Sequence, residues 1–262
     1  MMVLPDSSTL AVPVDAHRLP TRIVGILGGM GPAAGADFVR LFVQACIDWM
    51  HQHGQPVNDQ AFPEHWLAQL PVPDRTRALS AIGEGADAPL AAMASGLDRL
   101  DKLGACAVAI ACNTAHAWHA ALQVRFPRIE LLHVAREVAL HLQSLGVREV
   151  GLLATQGTYR SALYEIALAQ TGISCHLPLE AERETLMRGI YNGVKTGDMA
   201  YAQSCFVEVS QHLIGRHGDF SLIMGCTEIP LALTSAPQAA TWTLVNPAQV
   251  LAQALTSRAY AV

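Results

Sequence analysis

Two cysteines stand where apolar runs end. Cys112 closes "GACAVAIAC" and is followed by Asn113, Thr114 and, at 116, a histidine; Cys226 closes "SLIMGC" and is followed by Thr227 and Glu228. A thiol at the carboxyl end of a buried parallel strand lies where open α/β sheets bind ligands. A helix starting just beyond it would favour an anion there, either a thiolate or a substrate carboxylate. Asn113, Thr114 and Thr227 supply short-range donors beside the thiols, suited to a carboxylate or to helix capping. His116 and Glu228 stand close enough in sequence to take a thiol proton. Two matched thiols facing one Cα from opposite sides could invert a stereocentre without a cofactor, one thiolate removing the α proton and the opposite thiol returning one. Such a pair titrates as a coupled unit.

The elements that must position these thiols are legible as an alternation. Short apolar runs at 23–27, 106–111, 131–134, 150–154, 222–225 and 243–245 suit parallel strands covered on both faces. Between them, 32–50, 87–104, 134–146, 158–171, 181–194, 199–217, 228–235 and 247–258 predict helices, the first opening on Pro32 and the second ending at Gly104. The fold class expected is α/β: two lobes related by a pseudo-twofold, each a parallel-sheet αβα sandwich, with the site in the cleft between them. Residues 1–20 read as an N-terminal extension. The first lobe is expected over 21–131 and again over 243–262, and the second over 132–242.

Composition narrows the partners. The 262 residues are 51% hydrophobic and 15% charged with a net charge of −5, and no run of Lys or Arg offers a footprint for nucleic acid or an anionic membrane. No apolar stretch reaches the roughly 18 residues of a membrane span, and the first residues lack a signal-peptide pattern. The expectation is a cytoplasmic protein with a small-molecule partner. Six cysteines without a C-x-x-C pair predict reduced thiols, with Cys46, Cys106, Cys175 and Cys205 as core fillers.

Six motifs in order carry a resemblance: "GILGGMGP" (25–32), "PDRT" (73–76), "CNTAH" (112–116), "LLATQGTYRSALY" (152–164), "YNGVKTG" (191–197) and "GCTEIPL" (225–231). The chain resembles the aspartate/glutamate racemase superfamily, in particular its aspartate racemase branch, over nearly everything after residue 21. Glutamate racemases carry an acidic residue in the first glycine-rich turn and a His two residues after the second Cys, where this chain has "GILGGMGP" and Glu228. The resemblance implies a racemase without pyridoxal phosphate or any other cofactor, acting on aspartate or a related acidic amino acid, and a homodimer. It also implies that Cys112 and Cys226 are the catalytic pair and that Arg75 and Lys195 serve carboxylate recognition and catalysis. Met30, Gln60, Asn113, Thr114, Thr155 and Thr227 match pocket positions. Arg75 agrees with this on its own chemistry, since a guanidinium fork binds carboxylates bidentately, whereas Lys195 ahead of Gly197 also fits a helix end.

Other readings compete. Gly29, Gly31 and Ala34 form a partial G-x-G-x-x-A dinucleotide fingerprint, but no acidic residue ends a second strand about 20 residues on. Cys112, His116, Cys226 and Glu228 have zinc-binding side chains without a usual zinc spacing, so no metal is expected. Hydantoin racemases, maleate isomerases and a non-catalytic amino-acid binder remain as alternatives within the same superfamily.

Overall fold

The computed structural model describes residues 19–81 and 84–261; most of the expected N-terminal extension lies outside them. Among the described residues, eight strands alternate with eleven helices: β1 (Val24–Gly28), α1 (Pro32–Gln52), β2 (His65–Gln69), α2 (Arg75–Ala78), α3 (Ala88–Lys102), β3 (Ala107–Ile110), α4 (His119–Arg125), β4 (Glu130–Leu131), α5 (Val134–Ser144), β5 (Glu149–Ala154), α6 (Gln156–Arg160), α7 (Leu163–Gln170), β6 (Ser174–His176), α8 (Glu180–Arg188), α9 (Met199–His217), β7 (Ser221–Gly225), α10 (Ile229–Leu233), β8 (Leu244–Val245) and α11 (Pro247–Tyr260). They form two all-parallel sheets, ordered β2-β1-β3-β4 and β6-β5-β7-β8. The two orders are the same when each half is counted from its own first strand, which is the expected pseudo-twofold relation of two α/β lobes.

The inner strands are buried along their length, as β1 and β3 show, because helices cover both faces of a parallel sheet. The edge strands β2 and β6 were not expected. Their residues, "HWLAQ" and "SCH", are exposed or half-buried and contain no continuous apolar run, so pairing with β1 and β5 defines them instead. The helix expected over 158–171 is divided into α6 and α7 at Ala162, whose φ of 47° is left-handed. The one expected over 181–194 stops at Arg188 and continues as a π turn over Gly189–Gly193 and a 3₁₀ turn over Val194–Thr196.

The return to the first lobe comes later than residue 243. β8 pairs with β7 and so belongs to the second sheet, and the chain goes back only with α11, which packs on α1 and β3. In the other half, α5 leaves β4 and packs on α7 of the second lobe, and α5 and α11 also pack on each other. Each half therefore lends its last helix to the other.

Candidate active site

The carboxyl ends of β1, β3, β5 and β7 converge between the lobes, and the residue or turn beyond each enters one pocket. Its walls include Met30 after β1, Cys112, Asn113 and Thr114 after β3, Thr155 after β5, and Cys226, Thr227 and Glu228 after β7. Arg75 from α2 and Lys195 from the 3₁₀ turn complete the set that the sequence pointed to. Gln60 lies elsewhere, exposed on the 3₁₀ turn Asp59–Ala61. His116 also departs from expectation. It is buried outside the pocket, with Nδ1 2.9 Å from the Cys112 carbonyl and Nε2 3.3 Å from that of Leu132, so it braces the thiol-bearing turn from behind. Burial, with His119 adjacent, lowers its pKa to about 4.

The glycine-rich turn delivers Met30. Gly29 has φ +91°, and a Cβ there would lie 2.1 Å from the Leu70 carbonyl oxygen, so a side chain is excluded by conformation and by space. Met30 then turns inward at 2% exposure, and its carbonyl accepts from Arg75 Nη2. Arg75 Nη1 donates to the carbonyls of Val72 and Pro73, both at 3.1 Å. These three acceptors pin the guanidinium while Nε stays buried with no acceptor among the described residues. Burial works to lower the Arg75 pKa, but the neighbouring Cys112 sulfur, Asp74 and Glu228 outweigh it and hold the pKa above its ordinary value.

The two thiols have different neighbours. Cys112 lies beside the Arg75 guanidinium. Cys226 Sγ donates to Glu228 Oε2 at 2.9 Å, and burial followed by the Glu228 charge raises the Cys226 pKa well above the usual thiol value. A helix dipole does little for either. Cys112 runs into the 3₁₀ turn Thr114–Trp118, and the helix after Cys226 is the five-residue α10. A guanidinium beside one thiol and a carboxylate bonded to the other take the place of the expected helix N-termini, and the carboxylate favours the protonated thiol at Cys226.

Several residues that sequence reasoning did not single out link the lobes across this pocket. Asp74 caps α2 and accepts from Tyr191 Oη at 2.7 Å. Burial pushes the Asp74 pKa up, yet the Arg77 N–H, the Tyr191 hydroxyl and the charges of Arg75 and Lys195 together keep it below the usual carboxylate value. Lys195 Nζ stacks 4.2 Å over the Tyr191 ring. The fully buried Tyr164 donates to Asn113 Oδ1, which leaves the Asn113 amide hydrogens for other acceptors. Thr114 Oγ1 meets Thr155 Oγ1 at 2.8 Å and Thr158 Oγ1 at 3.1 Å. Tyr164, Thr158 and Tyr191 all sit inside the quoted motifs, and Asp74 lies within "PDRT", so membership of those motifs was the available signal.

Between the thiols the free volume is about 20 Å³, room for about one water. Two larger cavities flank it. One, of about 370 Å³, shares Met30, Arg75, Lys195 and Glu228 with the pocket. The other, of about 760 Å³, lies behind α2 and shares Asp74 and Thr76. Among the described residues no three His, Cys, Asp or Glu side chains are grouped so that they could hold a metal ion, and no helix is long and apolar enough to cross a membrane.

Comparison with known proteins agrees with this architecture. A family model described as Asp/Glu/Hydantoin racemase matches residues 27–255. Among solved structures, an aspartate racemase from Picrophilus torridus superposes with a TM-score of 0.72 at 27% identity, covering 89% of this chain and 92% of that one. Among curated relatives, a broad specificity amino-acid racemase, RacX, of Bacillus subtilis is 27% identical over 57% of this chain and 62% of its own length. A glutamate racemase of Pseudomonas aeruginosa is 33% identical over 51% of this chain and 49% of its own length. The matched segments thus span about half to two-thirds of these two curated relatives.

Proposed function

The chain belongs to the Asp/Glu/hydantoin racemase family, and from that premise we propose that it racemises an acidic α-amino acid, with aspartate the first candidate, by two-base proton transfer between Cys112 and Cys226 and without a cofactor. The observation that carries this reading is the pairing of the two thiols, at the ends of equivalent strands and in one pocket, with a cation beside one and a carboxylate bonded to the other. In this reading the Cys112 thiolate takes the α proton from one face. The carbanion is delocalised into the α-carboxylate, and the Cys226 S–H bond breaks as its proton is delivered to the opposite face. Cys112 is left as thiol and Cys226 as thiolate, the state that turns over the other enantiomer. Glu228, which accepts from Cys226 Sγ, would pass a proton back to Cys226 as the pair returns to its resting form.

The α-carboxylate would accept from the Asn113 amide, the hydroxyls of Thr114, Thr155 and Thr227, and main-chain N–H groups of the thiol turns. Arg75 Nε, a buried donor lacking an acceptor among the described residues, and Lys195 would supply positive charge for a carboxylate and for the carbanionic state. The same reading has the protein acting in the cytoplasm as a homodimer on free amino acids.

The test is deuterium incorporation at Cα, followed by proton NMR on dialysed, chelator-treated protein with L-aspartate, L-glutamate and neutral L-amino acids. Exchange accompanied by loss of optical rotation is the expected result. Cys112→Ala and Cys226→Ala should each slow racemisation by about 10³-fold or more while leaving the thermal unfolding cooperative. Full racemisation by either variant would sink the two-thiol mechanism.

A further inference from the structure

The pocket between the thiols has no space for a side chain, so the substrate's must leave by one of the two flanking cavities. They differ in what they offer. The passage behind α2 runs past the Asp74 carboxylate and Thr76, and its two guanidiniums are Arg77, exposed on α2, and Arg160, which is engaged with Ser80. The other passage shares both cations of the pocket, Arg75 and Lys195, together with the Glu228 carboxylate, which already accepts from Cys226 Sγ and Thr227 Oγ1. It continues into the 370 Å³ vestibule, whose wall includes the apolar Met30, Pro32, Ala33, Ala34 and Val194. That volume corresponds to about a dozen waters. A short acidic side chain would leave most of it unfilled.

From this wall chemistry, and resting on the racemase reading above, we infer that the preferred substrates are acidic amino acids with a longer aliphatic spacer than aspartate or glutamate, of the 2-aminoadipate class. Their methylenes lie along Pro32–Ala34, and the distal carboxylate meets Lys195. The aliphatic wall gains from each methylene it removes from water. Lys195, held over the Tyr191 ring at the vestibule, gives the chain end its charge partner. Aspartate would reach Arg75 but leave the apolar wall wet.

The experiment measures racemisation of L-aspartate, L-2-aminoadipate and L-norleucine by the full-length protein. The kcat/KM for 2-aminoadipate is expected to exceed that for aspartate by about tenfold, the gain for two further buried methylenes, and that for norleucine by about as much through the lost charge pair. Ala33→Phe, at an exposed position of the vestibule wall, should lower the 2-aminoadipate to aspartate ratio about tenfold, and Lys195→Met should erase the advantage over norleucine. Ala81→Phe, in the cavity behind α2, should leave both ratios where they are. Preference for aspartate, parity of norleucine with 2-aminoadipate, or a ratio that moves with Ala81→Phe instead of Ala33→Phe would each overturn the inference while leaving the racemase reading standing. No exchange with any amino acid would defeat that reading itself, and this inference with it.

Discussion

Cys112 and Cys226 occupy equivalent turns yet face opposite charges, and this asymmetry has a measurable signature. The Glu228 carboxylate opposes loss of the Cys226 proton, so Glu228→Gln should lower the Cys226 pKa, raise its thiolate fraction at pH 8 and speed its alkylation by iodoacetamide about tenfold. Peptide mapping of the labelled sites would read this, and racemisation should fall in the same variant because the proton acceptor is gone. An unchanged alkylation rate at Cys226 would mean that burial alone sets its pKa. The thiols, Arg75 and the threonines were legible because each ends or follows a distinctive apolar run or motif. Asp74, Tyr164 and Tyr191 were not, since their part depends on a partner in the opposite lobe. His116 was misplaced because a spacing of four says nothing about whether a ring points into a pocket or back at the carbonyls of its own turn.

Close approach of elements across the cleft depends on Gly157 in α6. A Cβ there would lie 2.6 Å from Thr114 Cγ2 and 3.1 Å from Thr76 Cα, so α6 of one lobe rests directly on α2 and the 3₁₀ turn of the other. Gly157→Ala should push these elements apart, separate the Thr114, Thr155 and Thr158 hydroxyls and reduce kcat/KM by about tenfold or more. The accompanying loss of stability, of the order of 1–3 kcal/mol for overpacking, would be read from urea unfolding; wild-type kinetics in this variant would show that the contact is slack. At this scale the buried inner strands and long helices could be read from apolar runs and caps. The edge strands, the break at Ala162 and the π turn could not, because pairing with a neighbour or packing under it defines them, and no local pattern does.

Three histidines, His116, His119 and His133, cluster where the chain crosses from β4 to α5, with ring centroids 4.8–6.2 Å apart. Burial comes first among the causes that lower their pKa values, to about 4 for His116 and about 3 for His133, and the neighbouring rings and Arg136 add to it. The folded state therefore binds fewer protons than the unfolded chain below the ordinary histidine value, and stability must fall as pH drops from about 6.5 toward those depressed values. Tm measured between pH 7 and 5 should decline, and His133→Asn, which keeps a side-chain acceptor for the α5 cap, should flatten that decline. A slope identical to wild type would remove His133 from the account. The two-lobed plan itself was readable from repeated strand-and-thiol units, but the point at which the chain returns was not, because β8 is two residues long and its allegiance is decided by pairing with β7.

The exchange of α5 and α11 bears on how such a molecule can be divided. A half ending at either of these helices covers its own sheet only in part, with helices such as α1 and α3 or α8 and α9, and a second half that lends its last helix in return adds to that cover. The unit in which each sheet has its full set of helices is thus a pair. Two identical halves would be bound to give both faces of the cleft the same neighbours. Writing both halves into one chain lifts that symmetry, and one thiol can then keep an arginine while the other keeps a glutamate.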